Sequence, residues 1–398
     1  MFRPATVIIA YNRPDALKRL LTSVEAAVYP EGASVPLVIS IDRSDSDDVV
    51  KTAEAFEYTH GEKIIIARKE RLGLKEHVLT CGDLTDEYGS IIVLEDDLFV
   101  SPMFYDYACA ALSFSDDRDI IGSISLYDHL FNVHKREGFR AIDDGYDNYY
   151  LQLASSWGQA YTKKQWAGFR AWYEENKDAD LTGPGIPANV SGWSERSWLK
   201  YYIVYLIRTG RFTLYPRGSL TTNFGEMGTH SRKHDTDLQV PLINDRIRSG
   251  YDFSAPENSK AVYDSFFEPL GSYRDGHVIL GGSAIPDQNG RGNKGLVVDL
   301  YGIKPVEELA DKGGYILSSR QLPYRVIRSY GRQMRPVDAN IVYGIEGNDY
   351  HLYCTDEKST PPASAVKATE FLYEYRGISL SRMFEMIKYR ILERFGRY

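Results

Sequence analysis

An apolar run ending in three adjacent acids constrains this chain more than any other feature: Ile91-Ile92-Val93-Leu94 leads into Glu95-Asp96-Asp97-Leu98-Phe99-Val100-Ser101-Pro102. Ile, Val and Leu at that density suit a strand buried on both faces, whereas Ser101 followed by Pro102 reads as an N-cap and first helical position. The acids are therefore expected at the strand's carboxyl end, where open α/β sheets place their ligand sites. Hard carboxylate oxygens suit Mn2+ or Mg2+, ions that keep open positions for water and substrate phosphates. The blander reading of a charge run is a solvated turn, and the buried strand before it and helix start after it argue against that.

Upstream, apolar strands alternate with helical spacing. Thr6 to Ala10 reads as a strand, followed by Asn12-Arg13-Pro14-Asp15 and a helix carrying Leu17, Leu20, Leu21 and Val24. Leu37 to Ile41 and Lys63 to Ala67 repeat the pattern, with helices through Val49 and Ala53 and through Leu74 and Val78. Such βαβ units imply a mainly parallel sheet with helices on both faces. Downstream, Ile120 to Ser125 and Arg211 to Tyr215 are expected strands, Asp143 to Tyr150 a polar loop, and Trp198 to Ile207 a helix. Past Tyr251 the pattern weakens, and Leu296 to Leu300, Tyr315 to Leu317 and Asn340 to Tyr343 read as short strands of a smaller α+β unit. Domains are accordingly expected at 1–250, 251–355 and 356–398, the last being a Pro-containing linker and a terminal helix.

At 398 residues the chain suits about two domains, and its 43% hydrophobic and 26% charged content is that of a globular protein. A formal charge of −8 argues against nucleic acid as a partner. The 30 Tyr residues suit stacking on sugar rings or plain core packing. Cys81, Cys109 and Cys354 have neither disulfide-framework nor zinc spacing, so a reducing, cytoplasmic setting is expected. No signal-peptide region and no membrane-length apolar stretch is visible. In the tail, Leu380, Phe384, Ile387, Ile391 and Phe395 share one helical face among Arg and Lys residues. That pattern suits a helix lying in a membrane interface, and equally one docked on the body or on another subunit. Gly290-Arg291-Gly292-Asn293-Lys294-Gly295 satisfies a dinucleotide fingerprint by letter, but it precedes a strand instead of joining a strand to a helix, and is read as a loop.

Several of these segments together carry a resemblance. Ala10-Tyr11-Asn12-Arg13-Pro14, Ile41-Asp42, Glu95-Asp96-Asp97-Leu98 with Ser101-Pro102-Met103-Phe104, Trp157-Gly158, Trp193-Ser194-Glu195-Arg196, and Asn223-Phe224-Gly225 with Gly228-Thr229-His230-Ser231 make the chain from Thr6 to about Leu238 resemble nucleotide-sugar glycosyltransferases of the GT-A fold. The second half of that stretch is similar to the N-acetylglucosaminyltransferase I type. The resemblance implies a Rossmann-like α/β domain and Mn2+ held directly by Asp97, with Asp96 and Glu95 orienting ribose, sugar or metal-bound water. Arg13 would meet the donor's base or diphosphate, Asp42 its nucleoside, His230 its diphosphate, and Trp157 with Gly158 would wall the sugar or acceptor. Glu195 takes the position of the family's catalytic base, although Ser194 replaces an acid there; Asp143, Asp144 and Asp147 are reserve candidates.

The expected activity is metal-dependent, inverting transfer from a nucleotide sugar, UDP-linked, to a glycan or lipid-linked glycan acceptor in cell-surface polysaccharide synthesis. Peripheral contact with the inner face of the membrane would run through the tail. Two other readings compete. A sugar nucleotidyltransferase would want a Gly-rich basic loop where Tyr11 to Pro14 stands, and a non-catalytic carbohydrate-binding protein would not need all of the acids, Asp42 and Arg13.

Overall fold

The alternating pattern of the first hundred residues becomes a sheet whose strands are buried on both faces. In the computed structural model, which describes residues 2–225, 238–285, 294–305, 314–363, 373 and 376–394, the first half runs β1 (Ala5–Ala10), α1 (Pro14–Glu25), β2 (Leu37–Ile41), α2 (Asp48–Ala55), β3 (Lys63–Ala67), α3 (Leu74–Gly82), α4 (Thr85–Tyr88) and β4 (Ser90–Glu95). β5 (Leu98–Val100), α5 (Phe104–Ser115), β6 (Ile121–Ser125), β7 (Phe131–Asn132), β8 (Glu137–Gly138), β9 (Asn148–Leu151), β10 (Gln159–Thr162), α6 (Lys163–Asn176), α7 (Ala188–Ser191), α8 (Trp198–Thr209), β11 (Phe212–Pro216) and β12 (Thr221–Asn223) follow.

With β13 (Val262–Tyr263), nine of these strands build a sheet in the order β13-β9-β11-β6-β10-β4-β1-β2-β3, while β5 pairs with β12 and β7 with β8. β4, β1, β2 and β3 are mutually parallel, in the registers Ile9↔Glu95, Ala10↔Ile41 and Ile41↔Ala67. Alternate side chains enter opposite layers: Val7, Ile9 and Val93 pack under α3, α6 and α8, while Ile8, Ile39 and Leu94 pack under α1, α2 and α5. Much of the tyrosine content is spent in these layers. Tyr149, Tyr161, Tyr202 and Tyr215 are fully buried, so packing, more than sugar stacking, explains the composition.

A second, six-stranded sheet is built from β14 (Gly271–Arg274), β15 (His277–Leu280), β16 (Lys294–Asp299), β17 (Tyr315–Ser318), β18 (Tyr324–Tyr330) and β19 (Tyr350–Lys358), in the order β15-β14-β16-β17-β19-β18. A short α9 (Ala339–Val342) and a terminal α10 (Leu380–Arg394) complete the described elements.

Several expectations change. The acidic strand does not run straight into a helix: the chain turns at Asp96-Asp97, resumes as β5 against β12, and α5 starts at Phe104 with Ser101 Oγ accepting from the Met103 amide. The polar segment to Tyr150 ends in β9, whose backbone pairs on both sides. Asn340 to Tyr343 is helical, because Asn340 turns inward and caps the Gln333 and Met334 amides instead of extending. The division at 250 falls short of Val262 and Tyr263, which hydrogen-bond into the first sheet beside β9. The linker start at 356 falls inside β19.

Candidate active site at the carboxyl edge of the sheet

Parallel strands deliver their carboxyl ends to one edge, and the strand order reverses between β1 and β4: the chain moves from β1 out through β2 and β3, then returns to place β4 on the other side of β1. Crevices form at such switch points. The register fixes what gathers there: the Asp96 amide donates to the Ile9 carbonyl (3.1 Å) and the Asp42 amide to the Ala10 carbonyl (2.9 Å). Arg13, Asp42 and the three acids therefore line one cavity of about 1050 Å³, joined by Trp157.

Arg13 ends the β1–α1 turn and reaches both acids, bonding Asp96 Oδ1 closely and Asp97 Oδ2 at 3.1 Å. Burial would lower the guanidinium's pKa, and the two carboxylates outweigh it, leaving it raised. Desolvation is also the main cause at the acids. It pushes Glu95 up to about 8, helped by the charges of Asp97 and Asp96, and lifts Asp96 to about 6 against the pull of Arg13. Even with Arg13 in place, Asp96 Oδ2 and Asp97 Oδ1 are buried without a hydrogen-bond partner among the described residues. Two unpaired carboxylate oxygens on adjacent residues fit a divalent cation, which takes a few protein oxygens and fills the rest of its shell with water and phosphate. Among the described residues no three His, Cys, Asp or Glu side chains converge as a full metal cage, so the fit is to a site shared with a ligand.

Asp42 is buried, and its oxygens accept from the Leu72 amide (2.8 Å), the Gly73 amide (2.9 Å) and the Arg43 amide (2.9 Å). It thereby anchors the turn before α3, where Gly73 has φ 77°. That turn brings Arg71 and Lys75 to the cavity, two cations that the periodicity reading passed over. The Gly73 break just before a helical pattern was the available signal.

Trp157 packs on Tyr127 with ring centroids 4.8 Å apart. Gly158 does not line the cavity; its φ of 93° and the 2.7 Å approach that a Cβ would make to Thr221 Cγ2 demand glycine, and its carbonyl accepts from the Leu126 amide. Its role is to seat Trp157 at the edge where β10 enters.

Glu195 stands apart from this group. Its side chain is 69% exposed, outside the cavity lining, with Oε1 accepting from Lys200 Nζ (2.5 Å) and Oε2 from the Tyr201 hydroxyl (2.6 Å). Those two bonds lower its pKa, the wrong direction for a base. The cause is local: Ser197 caps α8, and the turn before it presents Trp193 and Arg196 to the cavity while Glu195 faces out. Among the reserve acids, Asp144 pairs with Arg217 and Asp147 with Arg248, and Asp143 caps the Gly145 amide. None of them lines the cavity. His230 and its neighbours from 226 to 237 lie outside the described residues.

No protein-family model matches the chain. In sequence it is 25% identical over 255 residues to an α-1,3-mannosyl-glycoprotein 2-β-N-acetylglucosaminyltransferase of Arabidopsis thaliana, a match covering 61% of this chain and 51% of that protein. The chain thus spans about half the length of this relative. The similarity supports the glycosyltransferase fold expected from the motifs. Solved structures that align include the mannosyltransferase PcManGT of Pyrobaculum calidifontis in complex with GDP-Man and Mn2+, with TM-score 0.34, 12% identity, 54% of this chain and 55% of that one. S. aureus TarS 1-349 in complex with UDP-GlcNAc aligns at TM-score 0.36 and 12% identity over 57% of this chain and 60% of that one. Those superpositions are too loose to transfer any residue.

Proposed function

We propose that this chain is a metal-dependent, inverting glycosyltransferase that moves a sugar from a nucleotide donor, UDP-linked, to a glycan or lipid-linked glycan acceptor in cell-surface polysaccharide synthesis. The observation that carries the reading is the pair of buried, unpaired oxygens on Asp96 and Asp97 beside Arg13, at the switch edge of an α/β sheet. Similarity to an N-acetylglucosaminyltransferase supports the choice of reaction class.

Each group has a definite task in this reading. Asp97 and Asp96 would hold Mn2+ or Mg2+, which when bound supplies Lewis-acid stabilisation of the departing diphosphate. Arg13 neutralises the acids and stands ready to meet a phosphate oxygen, a geometry its planar fork suits. Asp42 works indirectly, by fixing the turn that carries Arg71 and Lys75. Trp157 closes the edge against water. Inversion also needs a base at the acceptor hydroxyl, and Glu195, exposed and paired with Lys200, would have to leave that pairing to serve as one.

The membrane contact rests on α10. Leu380, Phe384, Ile387 and Ile391 are all at least half exposed on one face, and at 3.6 residues per turn Lys388 and Arg390 flank that face. Phe395 lies outside the described residues. Among those residues no helix is long and apolar enough to cross a membrane, and a basic amphipathic helix suits the surface of an anionic leaflet on the cytoplasmic side.

Donor binding is tested by thermal shift with a panel of nucleotide sugars, with Mn2+ and with excess chelator. A donor at a hundredfold over its Kd should stabilise the protein by about 2.7 kcal/mol, and only with metal; indifference to every donor would sink the reading. Deleting 376–398 should abolish sedimentation with phosphatidylserine vesicles while sparing donor hydrolysis. An intact protein that ignores such vesicles would mean that the helix docks on protein.

A further inference from the structure

One buried polar side chain in the cavity is unused by the reading above. His129, four residues past the end of β6, lines the cavity at 2% exposure, and neither Nδ1 nor Nε2 has a hydrogen-bond partner among the described residues. The two other histidines that line the cavity are matched. His134, in the same cavity, uses Nδ1 with Asn189 Oδ1 (2.8 Å) and Nε2 with the Ser265 carbonyl (3.0 Å), and His77 pairs with Ser40 Oγ (2.7 Å).

Around His129 the surroundings are aromatic: Tyr127 at 5.1 Å between centroids, Phe267 at 5.2 Å, Tyr215 at 5.3 Å and Trp157 at 6.1 Å. Burial in that box drives its pKa down to about 3, so the imidazole is neutral and carries one N–H donor and one bare acceptor nitrogen. A buried polar group left unpaired destabilises the fold, and folded chains keep such a defect mainly where a ligand repairs it. A sugar hydroxyl both donates and accepts, and the C–H faces of its ring suit aromatic walls.

Position narrows the ligand further. β10 alone separates β4 from β6, so the acid turn and the end of β6 stand two strand spacings apart, about 10 Å. A donor with its diphosphate at Asp96 and Asp97 would extend its sugar along this edge past Trp157. We propose that His129 hydrogen-bonds a hydroxyl or amide of the donor's sugar ring, with Trp157 as the apolar wall, and this rests on the nucleotide-sugar reading.

The test compares Kd for UDP with Kd for the UDP-sugar that most raises the melting temperature of the unaltered protein, both with Mn2+, by calorimetry. His129→Leu should weaken the UDP-sugar about tenfold or more, the scale of one lost hydrogen bond to a buried group, and leave UDP within about twofold of the same reference. Its melting temperature should be unchanged or higher, since an unpaired polar group is gone. His129→Gln, which keeps a donor and an acceptor, should recover part of the loss and serves alone if the Leu variant does not fold. Equal weakening of UDP and UDP-sugar, or no weakening of either, overturns the assignment. If the unaltered protein binds UDP but no UDP-sugar, the donor reading itself fails and takes this one with it.

Discussion

Two buried clusters in this molecule have nearly the same ingredients and opposite states of completion. At the sheet edge Arg13 faces Asp96 and Asp97 with Glu95 behind them. Where the two sheets meet, Lys304 and Arg320 face Asp264, Glu268 and Asp299. In the second cluster every carboxylate oxygen is engaged. Glu268 accepts from the Leu300 and Tyr301 amides, Asp299 from the Ile303 and Lys304 amides, Ser318 and Arg320, and Asp264 from Lys304 and the Phe266 and Glu268 amides. In the first, two oxygens have nothing. Charge and burial are common to both, so neither distinguishes a ligand site from a structural lock. The unfilled valence does.

The largest expected effect tests the open cluster. Asp97→Ala should remove Mn2+-dependent donor binding and lower transfer by about 10³-fold or more, several kcal/mol of lost electrostatic stabilisation, while the chain stays folded. Normal turnover in this variant would make the two clusters equivalent and break the contrast. Lys304→Met tests the closed one. It strands Asp264 and Glu268 in the interior, and removing one partner of a buried pair costs about 3–5 kcal/mol. The loss should appear as a lower denaturant midpoint, with transfer per folded molecule unchanged.

Asp128 stands between the two cases and sharpens them. It is buried, with Arg140 at 3.6 Å, and burial raises its pKa to about 7 against the pull of Arg140 and Tyr149. Between about pH 4, the value in an unfolded chain, and the raised folded value, the native state holds a proton that the unfolded state has lost. Stability attributable to this group therefore falls as pH rises through that window, by up to about 1.4 kcal/mol per pH unit. Urea titrations across the window should show a fall that is shallower in Asp128→Asn than in the unaltered protein by about this amount. The smallest effect is expected at Glu195→Gln: an exposed carboxylate that is paired with Lys200 contributes about 1 kcal/mol or less, and turnover should hardly change. A hundredfold loss of turnover would restore Glu195 as the base and show that its pairing with Lys200 opens on substrate binding.

Parts of the site were legible before any fold was known. Arg13, Asp42 and Glu95 to Asp97 each stand at the end of an apolar strand, and parallel strands bring their ends together whatever else the chain does. The outward direction of Glu195 was not legible, because its motif position said nothing of which way a short turn before α8 would face. Arg71 and Lys75 were missed because the bond that aims them, Asp42 to the Leu72 and Gly73 amides, joins residues about thirty apart.

Strand periodicity, the order of β and α segments and the acid-ended strand came from local chemistry, since alternation and end-capping act over a few residues and are written in adjacent letters. The insertion of β10 between β4 and β6, the return of Val262 and Tyr263 to the first sheet, and the aromatic box around His129 were decided only in three dimensions. They depend on which distant segments share a sheet edge, and no spacing along the chain specifies whether a buried oxygen or nitrogen will find a partner there.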